Sequence, residues 1–172
     1  MPTSRQLDVL KALTAHLETI TVLAGYDHDL TGRVFRGHAV WGDEMPLPMV
    51  SILEAPRPDE RPRTAGHERA FRSEEWMLMV QGWVEDDATN PTDPAYALKA
   101  DVELCLSRLV AVDERKGKPI YPDLYRLGGR VSAVSIGPGV VSPARERVSS
   151  KAFFYIPLVV TIGVTPTSPF AA

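Results

Sequence analysis

The stretch Glu75-Trp-Met-Leu-Met-Val-Gln-Gly-Trp-Val84 has the strongest strand pattern in the chain. Successive side chains of a strand point to opposite faces of its sheet. One face would carry Trp76, Leu78, Val80 and Gly82, and the other would carry Met77, Met79, Gln81 and Trp83. Because both faces are mostly apolar, the stretch predicts a strand in the middle of a sheet or one that is covered on both sides.

Weaker strand patterns lie on both sides of this stretch. They cover residues 33–36 and 47–54 before it, and residues 130–136 and 150–164 after it. Pro157 interrupts the last pattern, and proline has no N–H to offer a neighbouring strand. It therefore predicts an edge position or a bulge. We expect residues 140–148 to form a loop.

Two amphipathic helices are also predicted. Apolar side chains recur at helical spacing in residues 4–23. Asp93 and Pro94 fit the start of a second helix, which we expect to reach about residue 112. The apolar stripe of this second helix would consist of Leu98, Val102, Cys105, Leu106 and Leu109.

This order of elements predicts the fold class α+β. We expect a mainly antiparallel sheet of about five strands with two helices packed on one face. A chain of 172 residues is expected to form a single domain, residues 1–172. Within that domain we expect a long loop at residues 55–74 and a flexible tail at residues 165–172.

Composition argues against two classes of partner. The net charge is −3, whereas nucleic acid and anionic lipid surfaces favour proteins with a net positive charge. We therefore expect no membrane partner and no sequence-specific nucleic-acid partner. The single cysteine, Cys105, excludes a disulfide within this sequence and fits a reducing compartment.

The predicted loop at residues 55–74 carries mixed charge. It sets five arginines against four acidic residues, namely Arg57, Arg61, Arg63, Arg69 and Arg72 against Asp59, Glu60, Glu68 and Glu74. A phosphate partner would favour a larger positive charge. The loop also has too little apolar surface to repay its own ordering entropy. We therefore expect it to order against a protein partner of mixed charge.

Asp27-His28-Asp29 is the strongest local candidate for a metal site. Alternate residues of a strand could turn both carboxylates the same way, and oxygen ligands suit magnesium or calcium. The simpler interpretation is a solvated turn that ends at Gly32, because no complementary ligand cluster is evident in the sequence. The remaining histidines lack zinc-ligand spacing, and they are His16, His38 and His67.

The other candidate catalytic groups have simpler explanations. Cys105 falls in the apolar stripe of a predicted helix, which favours an inert core thiol over a nucleophile. Asp86 and Asp87 could form an acid–base pair, but an acidic turn before a helix explains them more simply. No serine lies in a G-x-S-x-G elbow. We therefore expect no enzyme, with no catalytic, cofactor-binding or metal-binding residues.

Six segments follow an N-terminal amphipathic helix in a fixed order. They are Gly32-Arg-Val-Phe-Arg-Gly37, Asp43-Glu-Met-Pro-Leu-Pro48, Met49-Val-Ser-Ile-Leu-Glu54, Trp76-Met-Leu-Met-Val-Gln-Gly-Trp-Val84, Asp93-Pro-Ala-Tyr-Ala-Leu98 and Ala152-Phe-Phe-Tyr-Ile-Pro-Leu-Val-Val-Thr-Ile162. In this order they resemble the tail terminator (tail completion) proteins of long-tailed bacteriophages. The resemblance covers roughly residues 5–164 and depends on the order of the segments, not on a single motif.

The resemblance implies a structural virion protein that forms a homohexameric ring at the head-proximal end of the phage tail. Such a ring ends polymerisation of the tail tube and joins the tail to the neck. The implied partners are further copies of the chain, the tail tube protein, the neck or head–tail connector protein, and the sheath if the tail is contractile. The implied location is the virion tail, with the host cytoplasm during assembly.

The resemblance also assigns a use to the charged loop. Arg57, Arg61, Arg63, Arg69 and Arg72 become candidate contacts to carboxylates of a neighbouring subunit or of the adjoining ring. Two alternatives stay open. One is another head–tail joining or tube-like ring protein, and the other is a small metal-dependent enzyme that uses the Asp27-His28-Asp29 segment.

Overall fold

The structure, a computed structural model, describes residues 3–40, 42, 44–55, 72–145, 149–165 and 169–170. The helices in this part of the chain are α1 (Arg5–Leu17), α2 (Asp93–Ser107) and the short α3 (Arg126–Gly129). A 3₁₀ turn, Val22–Ala24, follows α1. The strands are β1 (Val34–Arg36), β2 (Met49–Glu54), β3 (Arg72–Trp83), β4 (Val112–Asp113), β5 (Lys118–Pro119), β6 (Ala133–Ile136), β7 (Val140–Ser142) and β8 (Phe153–Val164).

Six of these strands form one mixed sheet, and the fold class is α+β, as predicted. The strand order is β1-β2-β3-β8-β6, with β7 also paired to β8. Strands β1 and β2 are parallel, and the other neighbours are antiparallel. The sheet has more strands than the five predicted, because residues 140–142 form β7 instead of a loop. The hairpin β4–β5 is separate from this sheet.

The central strand of the sheet is β3, as the sequence pattern indicated. It pairs with β8 along its full length and with β2 through residues 78–83. It starts at Arg72, earlier than the predicted residue 75, because β8 is long enough to pair with these residues too. The ring of Phe154 lies where a Cβ of Gly82 would stand, which explains the glycine in this strand.

Of the two alternatives predicted for Pro157, an edge position or a bulge, the edge position is wrong. Strand β8 is an interior strand, with β3 on one side and β6 and β7 on the other. Ile136 pairs with Leu158, and Val140 pairs with Tyr155. Three residues, 137–139, therefore lie opposite two residues of β8, 156 and 157. The extra residue of this bulge lies between β6 and β7 and not in β8.

Pro157 has no backbone N–H, and the side of β8 on which that N–H would lie faces the break between β6 and β7. The Pro157 carbonyl accepts the Gly137 N–H at 2.8 Å, and the N and C=O of a residue in an antiparallel strand point to the same side. The absent N–H is therefore directed at the break between β6 and β7, where no ladder hydrogen bond is lost.

Helix α1 is shorter than predicted and is followed by a separate turn. The Ser4 hydroxyl accepts the Leu7 N–H at 3.2 Å and caps the start of the helix. The helix ends at Leu17, because Thr21 has an extended backbone and begins the 3₁₀ turn. Gly25 closes this turn with a φ of 89°, in the left-handed region that favours glycine.

Helix α2 buries the predicted apolar stripe but is also shorter than predicted. Its side chains Leu98, Val102, Cys105 and Leu106 are fully buried. Pro94 lies in the first turn, and the capping position belongs to Thr92 instead of Asp93. The helix ends at Ser107, because the chain turns there and enters β4.

The main core lies between the two long helices and one face of the sheet. It contains Leu13 and Leu17 of α1, Leu98 of α2, Trp76 of β3 and Phe154 of β8. All the buried apolar side chains of α1 and α2 belong to this core. Both helices therefore pack on the same face of the sheet. In the described part of the chain, no helix is long and apolar enough to cross a membrane.

Most of the predicted loop and tail lies outside the described residues. Of residues 55–74, the structure describes 55 and 72–74, and of residues 165–172 it describes 165, 169 and 170. These tail residues contact the start of α1, because the Arg5 N–H donates to the Pro169 carbonyl at 3.0 Å. The Arg5 guanidinium donates to the Gly163 carbonyl at 3.0 Å.

Candidate interaction surfaces

The predicted contact arginines fall mostly outside the described residues. Arg57, Arg61, Arg63 and Arg69 lie in the segment that the structure does not describe. Arg72 is the first residue of β3, and its backbone pairs with Val164 of β8. The structure therefore fixes one end of the predicted loop on the central strand and leaves the expected arginine contacts as a prediction.

One face of the sheet lies opposite the helices and is apolar at its centre. Leu53 of β2, Met79 of β3 and Pro157 of β8 lie side by side in the register. Met77 and Val159 form the next pair along the same face. We call these five residues the open face. Met77 is 38% exposed, and the other four side chains are partly exposed.

Among the described residues, a small cluster covers one end of this side of the sheet. Met49, Trp83 and Phe153 are buried in it. Side chains from β1 and from the segment before β2 pack against them, namely Phe35, Met45 and Leu47. Among the described residues, no helix contributes to this cluster. The open face therefore begins where this cover ends.

The Asp27-His28-Asp29 segment is fixed by a residue that the sequence analysis did not single out. Asp101, on α2, accepts the backbone N–H groups of Asp27 and His28 through Oδ2, at 3.1 and 3.0 Å. The same oxygen lies 2.7 Å from Nδ1 of the His28 ring. His28 is thus committed to an internal contact. Asp29 accepts the Thr31 N–H at 2.9 Å, which closes a local turn.

A shallow pocket of about 390 Å³ adjoins this segment. Its lining mixes acidic, basic and neutral side chains, namely Asp27, His28, Asp29, Thr31, Arg33 and Pro48. Hydrogen bonds from Thr31 lower the pKa of the Asp29 carboxyl. Across the described residues, no three His, Cys, Asp or Glu side chains are grouped so that they could hold a metal ion.

Cys105 lies in the core next to His16. The ring Nε2 of His16 donates to the Cys105 carbonyl at 2.8 Å and lies 3.4 Å from the Cys105 sulfur. Burial raises the pKa of the Cys105 thiol, so the nucleophilic thiolate is disfavoured. Both side chains are buried. The arrangement is that of a structural thiol packed inside the helix layer.

The buried His16 predicts a pH dependence of stability. Burial, together with the nearby Arg108 guanidinium, lowers the pKa of His16 from its usual 6.5. The unfolded chain then binds a proton near pH 6.5 that the folded chain rejects. Stability should therefore fall as the pH drops below that value, by up to about 1.4 kcal/mol per pH unit from this group. Urea unfolding at several pH values, compared between wild type and His16→Gln, measures the difference. Parallel curves for the two proteins would refute the assignment.

Asp86 and Asp87 are both engaged by the backbone. Asp86 accepts the Ala152 N–H at 2.8 Å, which ties the turn after β3 to the start of β8. Asp87 accepts the N–H groups of Thr89 and Asn90 at 2.8 and 2.6 Å, and these bonds lower its pKa. The two carboxylates thus stabilise the turn before α2.

Two strongly exposed aliphatic residues lie on the helix side of the molecule. They are Val22 and Leu23 of the 3₁₀ turn, which are 62% and 102% exposed. We call this pair the apolar tip. The sequence pattern hid it, because both residues fall inside the predicted helix 4–23. Only the early end of α1 turns them towards solvent.

No family model matches the chain, and no curated protein matches it.

Proposed function

We propose that this chain is a tail terminator (tail completion) protein of a long-tailed bacteriophage. It forms a homohexameric ring at the head-proximal end of the tail, ends polymerisation of the tail tube and joins the tail to the neck. The observation that carries the proposal is the open face, an apolar surface at the centre of a sheet whose opposite side is sealed by two helices.

Leaving the apolar open face in contact with water costs free energy in a single subunit. This cost favours a protein that assembles with other subunits. Full burial of an exposed apolar side chain of this size stabilises a protein by roughly 1.5–3 kcal/mol. Met77 is 38% exposed and Val159 is partly exposed, so each would gain a fraction of that amount in an interface. Contiguous apolar surface of this kind commonly marks a protein interface. A closed ring of more than two copies uses a heterologous interface, in which one surface of a subunit meets a different surface of the next.

The polar clusters of the chain support a structural protein over an enzyme. Asp101, Asp86 and Asp87 each accept backbone N–H groups. Cys105 is buried with a raised pKa. These groups hold turns and helices in place, so within the described residues no contact supports the small metal-dependent enzyme.

The remaining partners follow from the position of the ring. One rim would bind the tail tube protein and the other the neck or head–tail connector protein, with the sheath around the ring in a contractile tail. The arginines of the charged loop would contact carboxylates of the neighbouring subunit or adjoining ring. The protein would reside in the virion tail and, during assembly, in the host cytoplasm.

The mass of the protein in solution tests the proposal against the metal-enzyme alternative. Size-exclusion chromatography with light scattering should give about six times the mass of one chain, and the mass should not change when divalent metals are chelated. A hexamer is expected because the open face gains burial in the ring. A strictly monomeric protein at high concentration would count against the ring, and a mass or fold that depends on metal would favour the enzyme.

A further inference from the structure

The apolar tip is held rigidly. The Thr21 hydroxyl accepts the Ala24 N–H at 3.2 Å, and the Thr21 carbonyl accepts the Tyr26 N–H at 3.3 Å. Gly25 ends the turn in the left-handed conformation. Two aliphatic side chains are therefore presented to solvent on a fixed backbone, so that docking them would cost little conformational entropy.

The tip and the open face lie on opposite sides of the sheet. Ile20 and Tyr26 flank the tip and are buried in the main core, on the side of the helices. The open face belongs to the other side, where Met77 and Val159 point away from that core. A molecule therefore cannot bring its own tip onto its own open face.

The two surfaces have matching chemistry. The tip offers two branched aliphatic side chains, and in the described structure the five residues of the open face carry no charge. Met77 and Met79 contribute unbranched, adaptable side chains, which pack around shapes of different outline. Glu75, the next residue of β3 on this side, sets a polar boundary to the surface.

We propose that the apolar tip of one copy docks on the open face of the next copy. This inference rests on the proposed ring and names its subunit contact. One chain carries both halves of the contact, and they lie on opposite sides of the molecule. Each copy can therefore receive a neighbour on one side and engage another on the other side, which is the heterologous geometry of a ring.

Disulfide cross-linking between copies tests the contact. Leu23→Cys and Met77→Cys change one exposed residue on each surface, so the fold should be retained. Mild oxidation of the double variant should give a ladder of covalent oligomers that ends at the hexamer. Each single variant should give no ladder, and the native Cys105 is fully buried. A matched control combines Met77→Cys with Leu104→Cys, which is 53% exposed on α2.

The outcomes separate this contact from the proposed function. A hexamer by light scattering without cross-links in the double variant would overturn the contact and leave the ring standing. A monomer without cross-links would overturn both. Equal ladders from the Leu23→Cys and Leu104→Cys pairs would show random collision and would also overturn the contact. Leu23→Asp should abolish the hexamer, whereas Leu104→Asp should leave it unchanged.

Discussion

Replacing Asp101 with alanine should lower the free energy of unfolding by about 3 kcal/mol, because it leaves several partly buried donors without an acceptor. Oδ2 of Asp101 lies within 3.1 Å of the N–H groups of Asp27 and His28, and the His28 ring is closer still. Asp101 projects from α2 and is only 8% exposed. Urea denaturation followed by circular dichroism measures the loss.

Glu103→Ala on the same helix is the matched control. Glu103 pairs with Lys99 at 2.8 Å, but its side chain is exposed. A helix pair at this i,i+4 spacing contributes about 0.5 kcal/mol or less. The two variants should therefore differ several-fold in their effect. An Asp101→Ala protein as stable as the Glu103→Ala protein would show that Asp101 does not anchor the segment.

Asp101 was detectable in principle from the sequence. It lies three residues after Leu98 and four before Cys105, so it occupies the apolar stripe of α2. A charged residue at a core position must find a partner, because an unpaired buried charge is costly. The sequence does not reveal which partner it finds. The answer depends on how the segment after α1 folds back over α2.

The central strand and the stripe of α2 were predicted because local pattern decides them. Strand β3 has apolar residues on both faces, and that pattern favours an interior position in the sheet. The edge position expected for Pro157 was wrong. Proline has no N–H to donate, but an interior strand tolerates this where the neighbouring strand is interrupted at the same place. Such a break depends on the pairing of distant segments.

The open face could be predicted from the sequence in part, whereas the apolar tip could not. The alternation in β3 already placed Met77 and Met79 on one face together. It did not show which face the helices would cover. The apolar tip was hidden, because Val22 and Leu23 fall inside the predicted helix 4–23, whereas α1 ends at Leu17 and Thr21 has an extended backbone. The order of the segments supplied the expected function, and the contact arginines stay a prediction.

Particles assembled without this protein should have tails of irregular length. A tube subunit can keep adding to an open tube end, and a ring that binds this end but offers no further tube-binding surface stops the addition. Wild-type protein and the Leu104→Asp variant should both restore uniform length. The Leu23→Asp variant should fail, because it lacks the contact that closes the ring.

Electron microscopy of such particles distinguishes a protein that ends tube polymerisation from a protein that only joins the tail to the head. Loss of a joining protein would leave tails of uniform length that are detached from heads, whereas loss of a terminator changes the length itself. The length distribution of tails assembled without this protein is the most direct test of the account. The account predicts a broad distribution with overlong tubes, and tails of normal, uniform length would contradict it.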